Sequence, residues 1–161
     1  MTSKSGVGVT EIGHDSESRT LVSGCFPPGC YKRKIKYEIS MEQIVAIMNQ
    51  SKNCEQFIKY DCCDSRLLPG SGFGWWVSRQ GSKMNYWGGA AVDSGKCACG
   101  MTNSCAGGWK CNCDKNDYTW REDSGYLTDK NTLPVTELRF GDTAASHEKG
   151  YHTLGKLRCW D

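Results

Sequence analysis

Apolar and polar positions alternate over residues 31–39. Ile35, Tyr37 and Ile39 fall on one face and Lys34, Lys36 and Glu38 on the other, which is the period of a half-buried strand. At Ser40 the period changes. Met41, Ile44, Val45 and Met48 recur at helical spacing. Ser40-Met41-Glu42-Gln43 is a capping box, in which the Ser40 hydroxyl accepts from the Gln43 amide and the Gln43 side chain reaches back. One amphipathic helix is predicted from residue 41 to about residue 51. Alternation resumes over residues 56–62, with Ile58, Tyr60 and Cys62 on one face. Val7, Val9 and Ile12 start a weaker strand-like pattern, and the polar residues 1–6 before it read as a disordered tail.

Beyond Leu68 the pattern loosens. Pro69-Gly70-Ser71-Gly72 breaks the chain. Gly74-Trp75-Trp76-Val77 and Asn85-Tyr86-Trp87-Gly88-Gly89 read as aromatic strands paired through the Gln80-Gly81-Ser82 turn. Residues 89–125 are rich in Gly, Cys, Asn and Asp and poor in aliphatics. Such a stretch has too little apolar surface to offset its ordering entropy, so cross-links or a metal must hold it. Thr136, Leu138 and Phe140 alternate again, and Lys156-Leu157-Arg158-Cys159-Trp160 closes the chain. The expected class is α+β: short antiparallel strands, one clear helix and an irregular disulfide-rich lobe, in a single domain over residues 7–161.

Composition changes this picture mainly through cysteine. The chain of 161 residues holds 11, with a formal net charge of +2 and no apolar run long enough for a bilayer. Near-neutrality argues against nucleic acid as a partner. Cysteine at this density fits an extracellular disulfide scaffold or an intracellular zinc domain, and an odd count leaves one thiol without an internal partner. Cys97, Cys99, Cys105, Cys111 and Cys113 use C-x-C spacing with no histidine nearby. Zinc knuckles favour wider pairs, so disulfides are the leading reading, with Cys54, Cys62, Cys63 and Cys159 as further partners. The first 13 residues contain no apolar leader segment, so an extracellular chain of this sequence is expected to be a fragment.

The ordered run CEQFIKYDC (54–62), GWWVSR (74–79), YWGG (86–89), KCACG (96–100), NSC (103–105), CNCD (111–114), LPV (133–135), GDT (141–143) and LGKLRC (154–159) resembles the fibrinogen-like module of contactin-associated and neurexin IV-type extracellular proteins. A weaker similarity runs to the fibrillar-collagen C-propeptide. The resemblance covers residues 40–161. It implies a fibrinogen-like fold, an extracellular location and no enzymatic activity, and it names no ligand. Cys25, Cys30 and Cys63 depart from the family pattern. Cys25 and Cys30 flank Phe26-Pro27-Pro28-Gly29, a turn composition, and are expected to pair with each other. Cys63 adjoins Cys62, the family's strand cysteine. Adjacent strand side chains face opposite ways, so Cys63 is the expected free thiol. At least two bridges should tie segment 97–113 to itself or to Cys54, Cys62 and Cys159.

Candidate sites are few. Of the aromatic group, Trp75 and Trp87 are assigned chiefly to the core, while Trp76 and Tyr86 are kept as candidate ligand contacts beside Asp114, Asp117 and Asp123. Asp114, Asn116 and Asp117 form a partial calcium loop, although solvated turn residues are the plainer reading. Tyr31-Lys32-Arg33-Lys34-Ile35-Lys36 is a basic run that fits a heparin-like polyanion or a solvated strand face. Asn49-Gln50-Ser51 is a glycosylation sequon. No nucleophile, phosphate loop or required cofactor is evident. The leading function is a non-enzymatic extracellular recognition module binding a protein or a glycan. The alternatives are a self-assembling, homo-oligomeric matrix domain like a collagen propeptide and an intracellular zinc domain.

Overall fold

The computed structural model describes residues 2–4, 7–68 and 72–161. Among the described residues ten strands form two antiparallel sheets, accompanied by one α-helix. The strands are β1 (Thr2–Lys4), β2 (Val7–Ile12), β3 (Thr20–Val22), β4 (Tyr31–Lys34), β5 (Asn53–Cys63), β6 (Trp75–Val77), β7 (Trp120–Leu127), β8 (Glu137–Phe140), β9 (Lys149–Leu154) and β10 (Leu157–Trp160); the helix is α1 (Met41–Asn49). The larger sheet runs β1-β2-β10-β5-β9-β3, with β7 on the other edge of β5; the smaller is β4-β8-β6. The architecture is the expected α+β class.

Helix α1 starts at the capping box, where Gln43 N donates to Ser40 Oγ at 3.2 Å and Ser40 N to Gln43 Oε1 at 3.1 Å. Ile44 and Met48 point into the core. The helix ends at Asn49, two residues before the expected boundary. In β5, Ile58, Tyr60 and Cys62 are buried as the alternation requires. Phe140 of the smaller sheet stacks on Tyr60 at 4.3 Å and 11° between ring planes, and the imidazole of His152 in β9, the cross-strand neighbour of Tyr60, lies parallel to Phe140 at 5.9 Å. This aromatic stack joins the inner faces of the two sheets.

Several sequence expectations change in the fold. Thr2–Lys4 of the expected disordered tail pairs with β2, while residues 1, 5 and 6 lie outside the described residues. So do Pro69, Gly70 and Ser71 of the chain break. The alternation over residues 31–39 persists in burial, but only Tyr31–Lys34 pairs as a strand. Residues 85–89 form no strand. β6 pairs with β8 instead, and the segment after the turn touches β6 through an isolated Val77–Lys83 bridge. Trp76 and Trp87 are 0% exposed and Tyr86 2%. The candidate contacts Trp76 and Tyr86 are therefore core side chains, and Trp75 is the half-buried member of the group. Their indoles explain why: Trp76 Nε1 donates to Tyr86 O at 2.7 Å and Trp87 Nε1 to Asp123 O at 2.9 Å, so each buried N–H is satisfied.

The stretch expected to be irregular contains β7, which pairs with β5 over eight positions from Gln56–Leu127 to Cys63–Trp120. Its Gly125 is needed by close approach. A Cβ there would sit 2.4 Å from Gly88 O, and one at Gly88 would sit 2.2 Å from Gly125 O. The aromatic segment thus reaches the sheet backbone to backbone.

Three bridges hold the lobe: Cys97–Cys111 and Cys99–Cys105 within it, and Cys62–Cys113 to β5. Cys54–Cys159 links directly paired positions of β5 and β10, and Cys25–Cys30 closes the Pro-Pro-Gly turn. Every cysteine of segment 97–113 is in a disulfide, so none is a thiolate available to zinc.

Candidate ligand-binding surface

The acidic residues singled out in the lobe have structural partners. Asp123 of β7 is 3% exposed; its Oδ1 accepts from Asn112 N and its Oδ2 from Cys113 N, both at 2.9 Å. Burial raises its pKa, and the two amides pull it back. Asp114 is 5% exposed and its Oδ1 accepts from Leu67 N at 3.0 Å. Burial pushes its pKa up to about 7, against that hydrogen bond and with the Asp123 charge adding to the rise. Both carboxylates are engaged inside the fold: Asp123 holds two lobe amides against β7, and Asp114 holds the chain that follows β5.

Asp117 is half-buried and takes two hydrogen bonds from Arg121, Nε at 3.1 Å and a terminal nitrogen at 2.7 Å, which hold its pKa low. Asn116 turns the other way. With its amide in the orientation its neighbours require, the nitrogen donates to Asp64 O at 3.2 Å and Asp142 Oδ2 at 3.1 Å. Asp114, Asn116 and Asp117 thus engage three separate partners, and their oxygens are not gathered around one point. Among the described residues, two other groups come close enough to share an ion. One, Cys97–Cys111–Asp123, contains a disulfide. The other is Asp64–His147–Glu148, in which His147 Nε2 donates to Asp64 Oδ2 at 2.6 Å and Glu148 Oε1 accepts from Ala145 N at 3.0 Å.

What these contacts brace is an aromatic surface. β7 and β9 flank β5, and register places Trp120 beside Cys63, Tyr151 beside Asp61 and Leu21 beside Tyr151 on the sheet face away from the core. Tyr118 is 72% exposed and Trp120 46%. The Tyr118 ring stacks on His147 at 4.3 Å, and Trp120 lies 5.8 Å from Tyr151. The Arg19 guanidinium sits 3.6 Å from the Tyr151 ring centroid and 3.3 Å from Asp61 Oδ2. Cys63, the free cysteine, is buried under this surface with its sulfur 3.5 Å from Tyr118 O. Burial raises its thiol pKa and Asp64 adds to that. Asn49 is exposed at the end of α1, well placed for modification.

Sequence reasoning singled out the carboxylates of the loop 114–123 and not the aromatic side chains beside it. Reading residues 120–127 as a strand would have set Trp120 on the face opposite the buried Asp123 and Leu127, whereas Tyr118 and Tyr151 lie outside that strand and carry no such local signal.

Fold and surface together define a disulfide-stapled, antiparallel α+β module with an exposed aromatic face, and no helix of the described residues is long and apolar enough to cross a membrane. No family model matches the chain. Over 94% of its length it is 39% identical to Neurexin-4 of Drosophila melanogaster, and over 94% it is 36% identical to Contactin-associated protein 1 of Mus musculus and of Rattus norvegicus. The chain spans 11–12% of the length of these relatives, so it is similar to one segment of each. That likeness and the five disulfides support an extracellular, adhesion-type module.

Proposed function

We propose that this chain is a non-enzymatic extracellular recognition module, of fibrinogen-like ancestry, whose ligand is a cell-surface protein. The observation that carries the proposal is the exposed pair Tyr118 and Trp120, backed by the half-buried Tyr151 and the exposed Arg19, on a rigid sheet. Trp, Tyr and Arg dominate the binding energy of protein interfaces, because each desolvates a large, stiff area. The surrounding pairs, Arg121–Asp117 and His147–Asp64, fix the loop and limit the entropy lost on binding. This reading requires no cofactor or metal. The mouse and rat relatives are named for association with contactin, and a contactin ectodomain is the first partner to test.

Self-assembly through the spare cysteine is less favoured, since Cys63 is 7% exposed. The experiment is surface plasmon resonance of the module over immobilised contactin ectodomain. Wild type should bind, and Tyr118→Ser/Trp120→Ser should weaken binding at least tenfold with the fold intact by circular dichroism. Equal binding by the variant would refute the aromatic surface. No binding by the wild type would remove this partner.

A further inference from the structure

The outer face of the smaller sheet collects basic side chains from three separated stretches of sequence. Leu138 and Phe140 of β8 and Trp76 of β6 point inward and are fully buried. The alternate positions therefore face out. Register sets Lys32, Arg139 and Trp75 side by side in one row, and Lys34, Glu137 and Val77 in the next. Lys83 pairs with Val77 through the isolated bridge and reaches back over the Trp75 ring, with Nζ 3.9 Å from its centroid. The Arg139 guanidinium lies 5.3 Å from the same ring. Two outer strands on either side of β8 make this a flat strip on the order of 10 Å wide.

The charges on the strip are poorly balanced. Glu137 is its one acid, and it is 3.3 Å from Arg139. Lys32, Lys34 and Lys83 are exposed, and among the described residues none has a carboxylate within 4.0 Å. Lys36 extends the strip past the end of β4, and Glu38 and Asp15 bound it there. The chain as a whole has a formal charge of only +2. An ordinary solvated face intersperses both signs. Here like charges are held together around a half-buried aromatic ring, and each cation keeps donors free.

We propose that this strip binds a linear sulfated polysaccharide. The sulfates would meet Lys32, Lys34, Lys83 and the free donors of Arg139, with the Trp75 ring holding Lys83 and Arg139 in place. The extracellular setting selects this polyanion over nucleic acid and over the anionic lipid of a cytoplasmic leaflet. The strip is separate from the Tyr118–Trp120 surface and shares with the proposed function only its extracellular setting, so the two can fail independently.

The test uses heparin as the probe, by calorimetry and by salt elution from a heparin column. The folded module should bind at physiological salt and weaken steeply as salt rises, because the contacts are charge to charge. Lys32→Ser/Lys34→Ser/Lys83→Ser should weaken binding at least tenfold. Lys52→Ser/Lys110→Ser/Lys156→Ser, which removes the same charge elsewhere, should stay within twofold of wild type. Fully desulfated heparin should not bind. The proposal is overturned if the wild type fails to bind heparin, if both triple variants weaken it equally, if desulfated heparin binds as well, or if phosphatidylserine vesicles compete heparin off at lower charge concentration.

Discussion

Burial moves Asp114 and His152 in opposite directions, and that opposition is measurable. The Asp114 carboxyl, at 3.8 when exposed, is pushed up to about 7 in the fold. Between those values the folded chain holds a proton that the unfolded chain has lost, so stability falls as pH rises from about 4 to about 7. Asp123 is shifted in the same sense. His152 is 0% exposed and its imidazole is pushed down to about 4 by burial, with Arg33 adding to the drop. There the unfolded chain holds the extra proton, so stability rises with pH from about 4 to 6.5. The two slopes oppose each other in wild type. In Asp114→Asn, which keeps an acceptor for Leu67 N, melting temperature should climb more steeply with pH over that window. In His152→Gln it should fall instead. Thermal melts from pH 4 to pH 7 check this, and an Asp114→Asn profile that superimposes on wild type would show that burial does not hold its proton.

The elements owe their order to cross-links as much as to apolar contact. β5 is anchored at both ends, by Cys54–Cys159 to β10 and by Cys62–Cys113 to the lobe. The Cys62–Cys113 bridge closes 51 residues and Cys99–Cys105 closes 6. Loop-closure entropy gives the first a stabilisation of about 4 kcal/mol and the second about 2 kcal/mol. Cys62→Ala/Cys113→Ala should therefore cost roughly twice as much in denaturant unfolding as Cys99→Ala/Cys105→Ala. Hydrogen exchange should place the loss in residues 97–123 before α1, because α1 has its capping box and its Ile44 and Met48 contacts independently of the lobe. Protection that vanishes from α1 first would contradict that order.

At the scale of the whole molecule, ten cysteines pair and one is sealed inside. Cys63 combines burial with a raised thiol pKa, and both suppress thiolate chemistry. Iodoacetamide should label the native module at least a hundredfold more slowly than the denatured, unreduced chain. Peptide mapping should find a single site, at Cys63. Fast native labelling there would mean that Tyr118 and Trp120 do not cover it.

The sequence alone determined what depends on neighbours along the chain. The capping box and the spacing of Met41, Ile44 and Met48 specify α1, and the alternation of Ile58, Tyr60 and Cys62 specifies the inner face of β5, because both signals lie within one element. The turn between Cys25 and Cys30 is local in the same way. Tertiary structure decided whatever depends on a distant partner. β7 carries a sequence that reads as a loop, and it is a strand because β5 offers eight pairing positions and Gly88 lets the chain close against Gly125. Trp76 and Tyr86 became core because the inner face of the smaller sheet closes on the larger one, where Phe140 stacks on Tyr60, and Asp114 and Asp123 became fasteners because amides from other segments bind them. Likewise Lys83 and Arg139 join Lys32 only through strand register. A side chain's face is written in its own period, but what that face meets is set by contacts tens of residues away, which local pattern does not encode.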